Sequence, residues 1–311
     1  MQKLLITGVD TVIGANLVLS LQDRWQISAV GASALGNDWG PVVPCDLSDP
    51  LEVAERLMVE APACVIHCGD FSRPSWDTDD VEIDAAHAAH NASVLAAACQ
   101  QRGIHFCVIT SDSQFVGPRM FHAETHPATS IGSVADASRA VEAAVAPYGA
   151  LVVRTHAYGW SAAGDDASFV QRIWRALSDG RDCPVDGDRY ATPILVSDLA
   201  EHLHEAIAQR WRGVYHISGV ERANQRRFAA ELAVAFGFTG RVVPLVAPDR
   251  PIGRRLVDET SLNTGLARQV LNVPLPMLRE GLARFADQAE TGYRERLETL
   301  AFGPLQHQRA A

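Results

Sequence analysis

Short apolar runs alternate with helical patterns through the first half of the chain. The apolar runs span residues 4–7, 27–31, 42–45, 63–67, 105–110 and 151–154. Several are continuous rather than alternating, which indicates strands covered on both faces, as in a parallel sheet. Helical patterns lie between them at residues 13–21, 49–60, 81–102 and 134–146. Strands that alternate with helices in this way predict a doubly wound α/β fold.

The pattern changes after residue 156. Helical patterns at residues 167–177, 197–208 and 224–236 are joined by a strand at 213–218 and a long C-terminal helix from 276 towards 300. This half predicts a smaller α/β lobe laid over the carboxyl edge of the sheet. We therefore divide the chain into a first domain, residues 1–158, and a second lobe, residues 159–311, with segments that return to the core sheet.

Composition excludes several classes of protein. The formal charge of -10 argues against a nucleic-acid partner. No apolar run approaches the ~18 residues of a spanning helix, so we expect no membrane partner. Six scattered cysteines in 311 residues are too sparse for a disulfide framework. We expect a cytoplasmic protein without a secretion signal.

A glycine turn links the first strand to the first helix. It reads Gly8-x-x-Thr11-x-x-Gly14, which resembles the dinucleotide-binding pattern in which glycines let the backbone approach a pyrophosphate. The middle glycine is replaced by Thr11, which opposes a phosphate by bulk, and Asp10 opposes it by charge. Residues 1–158 are therefore predicted to be an NAD(P)-binding Rossmann domain with weakened affinity. The loop residues expected to contact the cofactor are Gly8, Thr11, Val12, Ile13 and Gly14.

Further cofactor contacts are expected where the next strands end. The second strand ends without the acid that selects NAD or the arginine that selects NADP. Ser33 can donate weakly to a 2'-phosphate, or it is a plain loop serine, so the choice between NAD and NADP stays open. Asp46 and Leu47 suit an adenine pocket, or they begin a capped turn. Cys68 and Gly69, after the fourth strand, complete the predicted cofactor residues.

Several segments then resemble one family. Residues 110–115 read Thr-Ser-Asp-Ser-Gln-Phe, and residues 153–159 read Val-Arg-Thr-His-Ala-Tyr-Gly. Residues 191–200 read Ala-Thr-Pro-Ile-Leu-Val-Ser-Asp-Leu-Ala. These stretches resemble three motifs of the extended short-chain dehydrogenase/reductases, which read Ser-Thr-Asp-Tyr-Val-Phe, Arg-Thr-Ser-x-x-Tyr-Gly and Pro-Thr-x-x-x-Asp-Leu-Ala. Within that family, the resemblance is strongest to the dTDP-4-dehydrorhamnose reductases. The resemblance covers nearly the whole chain. It implies NAD(P), a nucleotide-sugar ligand, and the reduction of a 4-keto sugar. It also implies that residues 159–311 are mainly a substrate-binding lobe.

The catalytic pair of that family is missing. Its Tyr-x-x-x-Lys places both side chains on one helical face, and the lysine lowers the pKa of the tyrosine so that the phenol acts as a general acid. Counting about two dozen residues from Ser111 leads to Ala135, with Arg139 four residues later. None of the five tyrosines is followed four residues later by lysine or arginine, and Lys3 is the only lysine.

The resemblance assigns catalytic roles to three residues. Ser111 matches the hydroxyl that polarises the ketone, and Asp112 follows it at the end of a strand. Alternatively, these two residues form a strand-exit cap. Arg139 either replaces the lysine at the nicotinamide ribose or is a solvated arginine. Asp136 and His156 are candidate replacement acids, although a helix-start aspartate is more often a partner of the helix dipole.

Two functional hypotheses follow. One is an enzyme with altered proton delivery, and the other is a catalytically silent regulatory or binding subunit on the same fold. The second hypothesis carries with it a homodimer or a regulatory protein partner. No histidine pair has the spacing of a metal site, so no metal is predicted.

Overall fold

The chain folds around a parallel sheet whose strands and helices follow the predicted order. In this computed structural model, the described residues are 1–31, 35–37, 40–79, 81–162, 168–245, 259–271 and 274–302. The elements of the first half are β1 (Lys3–Thr7), α1 (Val12–Leu21), β2 (Gln26–Gly31), β3 (Leu35–Asn37), β4 (Gly40–Pro44), α2 (Pro50–Glu60), β5 (Cys64–His67), α3 (Ala85–Gln101), β6 (His105–Ser111), α4 (Ser133–Val145) and β7 (Leu151–Thr155).

The second half contains shorter strands and more helix. Its elements are β8 (Ala157–Tyr158), α5 (Phe169–Ser178), β9 (Cys183–Val185), β10 (Tyr190–Ala191), β11 (Ile194–Leu195), α6 (Val196–Ala208), β12 (Gly213–His216), β13 (Ala223–Asn224), α7 (Gln225–Phe236), β14 (Val242–Pro244), α8 (Gly265–Leu271), α9 (Leu278–Glu290) and α10 (Tyr293–Phe302). Short 3-10 helices follow β5, at Asp70–Ser72 and Ser75–Asp77, and follow β6, at Asp112–Gln114.

The main sheet has eight strands in the order β12-β7-β6-β5-β1-β2-β4-β3. All neighbours are parallel except β3, which runs antiparallel to β4 at the edge. Strand β1 is central and pairs with β2 on one side and β5 on the other. Because the order reverses on either side of β1, the loop after this strand opens into a crevice at the carboxyl edge. The predicted doubly wound fold is confirmed.

The core covers both faces of the sheet. Successive side chains of a strand point to opposite faces, and Leu4 and Ile6 pack on one face while Leu5 packs on the other. The first face is covered largely by second-half residues such as Leu199 and Phe285. Strand β12 joins the main sheet beside β7, and α6 packs against α1. Second-half segments therefore return to the core sheet, while the boundary at residue 158 stays a prediction.

Two predicted helices differ in their limits. The helix expected at 81–102 begins at Ala85 because the Asp84 side chain accepts a hydrogen bond from the backbone N–H of His87 and caps it. The single C-terminal helix expected from residue 276 is two helices, because Gly292 has a φ of 71° that ends the helical path between α9 and α10. Asp49 caps α2, since its side chain accepts a hydrogen bond from the N–H of Leu51.

Two expectations from composition can be compared with the described part of the chain. None of its helices is both long and apolar enough to cross a membrane. All six cysteines are free, and all but Cys45 are buried. Cysteine in these positions acts as a small apolar side chain.

Candidate active site

The loop between β1 and α1 requires its two glycines for packing within the protein. Gly8 has a φ of 70°, and a Cβ atom there would lie 2.2 Å from the carbonyl oxygen of Cys68. A Cβ atom on Gly14 would lie 2.1 Å from the carbonyl oxygen of Gly8. Both glycines are therefore fixed by backbone contacts, whether or not a phosphate lies on the loop.

The Thr11 hydroxyl links the two glycines of the loop by hydrogen bonds. Its hydroxyl donates to the carbonyl oxygen of Gly8 over 2.7 Å and accepts from the backbone N–H of Gly14 over 3.0 Å. Thr11 is thus the N-cap of α1. A phosphate at a helix N-terminus accepts hydrogen bonds from such first-turn N–H groups. The threonine therefore competes with a phosphate by hydrogen bonding, in addition to the predicted bulk.

A cleft of about 520 Å³ lies beside this loop at the carboxyl ends of β1, β2 and β5. This nucleotide cleft is lined by residues 8, 10, 30–31, 45–47, 67–71, 82–84, 87–88 and 91. It brings together the predicted cofactor residues Gly8, Asp46, Leu47, Cys68 and Gly69.

The remaining predicted cofactor residues lie elsewhere. Thr11, Val12 and Ile13 line a smaller adjoining cavity of about 80 Å³, while Gly14 lines neither space. Ser33 lies outside the described residues. The second cavity shares Asp10, Gly69 and Asp70 with the nucleotide cleft, so the two spaces form one path around the loop.

Carboxylates dominate the nucleotide cleft. Its acidic lining residues are Asp10, Asp46, Asp70, Glu82 and Asp84, and its described lining contains no lysine or arginine. Asp70 forms an ion pair with Arg73 over 2.8 Å. Arg73 itself lines the smaller cavity and not the nucleotide cleft. Asp70, Glu82 and Asp84 were not predicted from the sequence. The capping role of Asp84 at the start of α3 could have been predicted, since an aspartate before a helical pattern indicates a cap.

His67 forms part of the floor of the nucleotide cleft and is neutral. Its Nδ1 atom lies 2.6 Å from the Thr7 hydroxyl, and its ring packs against Phe71 and Phe106. Burial lowers the pKa of His67 to about 4. The unfolded chain, with an ordinary histidine pKa, therefore binds a proton between about pH 6.5 and pH 4 that the folded protein does not.

We expect the free energy of unfolding to fall by roughly 3 kcal/mol through His67 as the pH drops from about 7 to 4. Urea unfolding at several pH values measures this slope, and His67→Gln should flatten it. The matched control is His90→Gln, because His90 is exposed on α3. The residual slope belongs to groups such as His216, whose pKa is lowered to about 3, by burial first and by Arg154 second. If His67→Gln left the pH dependence of the free energy of unfolding unchanged, the conclusion that the buried His67 ring is neutral would be wrong.

The predicted catalytic serine lies at the carboxyl end of β6, as expected, but its hydroxyl is already engaged. Ser111 is fully buried, and its hydroxyl donates to the carbonyl oxygen of Arg73. The same oxygen accepts from the backbone N–H of Ser113 over 2.9 Å. Ser111 therefore caps the short 3-10 helix that follows and does not line a described cavity.

Asp112 is the acceptor of a buried polar cluster. Its carboxylate accepts from the N–H of Ser75 over 2.9 Å, the Ser75 hydroxyl over 2.8 Å, the Thr260 hydroxyl over 2.5 Å and Nδ1 of His156 over 2.8 Å. Burial raises the pKa of Asp112, but His156, Thr260 and Ser75 together outweigh it, so the pKa is lowered. His156 packs edge-on against Trp76, with ring centroids 4.5 Å apart. The structure thus joins two sequence candidates, Asp112 and His156, and adds Ser75 and Thr260, which were not predicted.

A second cleft, of about 540 Å³, opens at the N-terminus of α4. This substrate cleft is lined by residues 75, 78–79, 113, 115–116, 129–135, 189 and 260. Ala135 is 2% exposed and forms part of its wall, so the predicted tyrosine position does face a cleft.

Arg139 does not line the substrate cleft. Its guanidinium donates to the carbonyl oxygen of Ser130 over 2.7 Å and to the carboxylate of Asp136. Asp136 is exposed and paired in this way, and neither residue is among the hydrogen-bond partners described above for Ser111 and Asp112. Among the described residues, no group of three or more metal-ligating side chains lies close enough to hold a metal ion.

Known proteins resemble this chain in sequence family and in fold. The model of the family described as RmlD substrate binding domain matches residues 1–291. The comparison with curated proteins finds no match. A dTDP-4-dehydrorhamnose reductase from Bacillus anthracis, solved with NADP, superposes with a TM-score of 0.76 at 22% identity, covering 94% of this chain and 100% of that one.

Other solved structures share the fold at lower identity. A Bordetella bronchiseptica enzyme, WbmH, solved with NAD+, gives a TM-score of 0.71 at 19% identity, covering 94% of this chain and 100% of that one. A UDP-glucose 4-epimerase from Thermotoga maritima, solved with UDP-glucose, gives a TM-score of 0.71 at 17% identity, covering 94% of this chain and 99% of that one. The family match spans nearly the whole chain, and these structures agree with it in fold. The chain therefore belongs to the RmlD substrate binding domain family.

Proposed function

We propose that this chain is a dTDP-4-dehydrorhamnose reductase-like protein that binds NAD(H) and a nucleotide sugar, and that it lacks the tyrosine-assisted step of ketone reduction. Ala135 carries this proposal. It lies on the wall of the substrate cleft where a phenol would act, and the described lining contains neither tyrosine nor lysine. A methyl group has no proton to donate, so the usual general acid is missing.

The nucleotide cleft fits the adenosine half of a dinucleotide. Val30, Gly31 and Leu47 offer apolar surface, and the exposed carboxylate of Asp46 can accept from a ribose hydroxyl. A bound nicotinamide would supply the hydride for reduction. The solved relatives that contain NADP, NAD+ or UDP-glucose support the assignment of both ligands.

The charges of the cleft favour NAD over NADP. A 2'-phosphate needs a nearby arginine or comparable donor. The described lining contains no lysine or arginine, and residues 31–40 contain neither. Five carboxylates on the lining would repel an additional phosphate.

A second candidate function is a regulatory or binding subunit without turnover. The engaged hydroxyl of Ser111 favours it, because a hydroxyl that donates to Arg73 cannot at the same time donate to a ketone. In that case the cleft holds its ligand without chemistry, and the relevant partner is a second copy of the chain or another protein.

Thr11→Gly tests the dinucleotide site. We expect it to bind NADH more tightly than the unchanged protein, because it frees the N–H of Gly14 and removes a β-branched side chain from the loop. The cost to the helix is small, since glycine replaces threonine as an N-cap at a few tenths of a kcal/mol. Calorimetric titration with NADH and NADPH measures both affinities, and NADH should bind more tightly in each protein.

Thr11→Ser is the control, because it keeps the capping hydroxyl and removes only a methyl group. Its affinity for NADH should stay near that of the unchanged protein if hydrogen bonding dominates. Absence of NADH and NADPH binding in all three proteins would overturn the dinucleotide proposal.

A further inference from the structure

The substrate cleft has an uncapped helix end on its wall. Helix α4 has 13 residues, and its N-cap, Gly132, makes no side-chain cap hydrogen bond. Residues 132–135, the N-cap and the first residues of α4, line the cleft. Such an end has a partial positive charge and donors directed outwards, and it favours an anion.

A buried hydroxyl without a partner lines the same cleft. Ser113 is 8% exposed, and among the described residues its Oγ atom has no hydrogen-bond partner. In the family motif quoted above, a tyrosine occupies this position. An unsatisfied buried hydroxyl destabilises the protein, and a bound acceptor relieves this cost.

Arg189 supplies a full positive charge. Its side chain is largely buried and donates to the carbonyl oxygen of Ser75 and, over 3.1 Å, to the carboxylate of Asp79. These two contacts use two of the five N–H donors of the guanidinium. Asp79 is the opposing charge on the described lining and is 76% exposed, so solvent screens it more than it screens Arg189.

Two further hydroxyls of the cleft lining offer acceptors. Ser75 and Thr260 line the cleft, and their hydroxyls lie within hydrogen-bond distance of the Asp112 carboxylate, which only accepts. The two hydroxyls also lie 2.9 Å from each other. A hydroxyl whose hydrogen is directed at Asp112 keeps lone pairs that can accept from the hydroxyls of a ligand.

We propose that the substrate cleft binds a polyhydroxylated ring with an anionic substituent, a sugar carboxylate or a sugar phosphate. The anion lies between the N-terminus of α4, Ser113 and Arg189, and the ring hydroxyls face Ser75 and Thr260. The space left by small side chains at positions 113 and 135 admits the anionic substituent. This rests on the proposed function in that it concerns the sugar site of the same cleft, but it does not depend on the dinucleotide.

Ligand-observed NMR and calorimetry with glucuronate, glucose 6-phosphate and glucose test the proposal. We expect at least one of the two anions to bind about tenfold or more tightly than glucose, which is the contribution of one charge-assisted hydrogen bond. Tighter binding of glucuronate identifies the carboxylate, and tighter binding of glucose 6-phosphate identifies the phosphate. Equal binding of all three sugars, or no binding of either anion, would overturn the proposal.

Variants locate the site. Arg189→Gln and Ser113→Ala should each reduce the preference for the anion over glucose, and Ala135→Tyr should remove it by filling the space. Arg279→Gln is the control, since Arg279 is an exposed partner of Glu231 on the surface. An anion preference that survives in both Arg189→Gln and Ser113→Ala would place the anion elsewhere and contradict the proposal. NADH titration of the same samples separates the outcomes: NADH binding without anion preference refutes only this inference, and loss of NADH binding refutes the dinucleotide half of the proposed function.

Discussion

Glu142→Gln is expected to lower the free energy of unfolding by about 3–5 kcal/mol. Glu142 lies on α4, and its carboxylate accepts from the Thr110 hydroxyl over 2.7 Å and from the Gln114 amide over 2.5 Å. It also accepts from two nitrogens of Arg154, at 2.9 Å and 2.6 Å. Both side chains of the pair are about nine-tenths buried. The variant leaves the guanidinium of Arg154 buried without a counter-charge, which is the costly way to break an ion pair.

Urea unfolding followed by circular dichroism measures the change. Glu231→Gln is the matched control, because Glu231 makes a similar contact to Arg279, which is 78% exposed, and surface pairs contribute about 0–1 kcal/mol. A second variant, Glu142→Leu with Arg154→Met, should recover much of the loss, since replacing both charges removes the unpaired group. Equal small effects of Glu142→Gln and Glu231→Gln would show that the buried pair does not hold α4 against β6 and β7.

The fold was predictable because its signals are local. Continuous apolar runs such as residues 105–110 indicate strands covered on both faces, and Asp49 before Pro50 indicates a helix start. The break at Gly292 was missed because a single glycine inside a helical pattern is often tolerated. Its positive φ is visible only in the folded chain.

The candidate site was predictable only where a residue follows a strand end or is fixed by the spacing of a motif. Gly8, Asp46, Cys68 and Ala135 each come directly from a motif and its spacing. Thr260 reaches Asp112 from 148 residues along the chain, and no local pattern connects them. The hydrogen-bond partner of a hydroxyl could not be predicted from the sequence either. Ser111 has the expected position, but it donates to a backbone carbonyl of another loop.

Turnover of dTDP-4-dehydrorhamnose with NADH or NADPH is expected to be at least ~10²-fold slower than that of the Bacillus anthracis reductase under the same conditions. A positioned general acid contributes about 10²–10⁴ in rate. Combining Ala135→Tyr with Arg139→Lys should recover about 10²-fold, because the two positions lie one turn apart on the same face of α4 and Ala135 already lines the cleft. Either single variant should recover much less, since a phenol without a neighbouring cation keeps a pKa near 10. Cofactor absorbance measures the rates.

Robust reduction by the unchanged protein would refute the missing-acid argument and make His156→Ala and Asp136→Ala the next variants to assay. A folded double variant that binds NADH but gains nothing would favour the binding-subunit hypothesis.

The tyrosine introduced by Ala135→Tyr should have opposite effects on anion binding and on ketone reduction. Its ring occupies the space assigned to the anionic substituent, so the double variant should lose its preference for glucuronate or glucose 6-phosphate over glucose as it gains ketone reduction. Arg139→Lys alone is the control, because Arg139 does not line the cleft and its replacement leaves the anion space open. If the double variant reduced the keto sugar and still preferred the anion, the tyrosine and the anion would occupy different places. The anion site would then lie away from the N-terminus of α4, although the catalytic argument for Ala135 would stand.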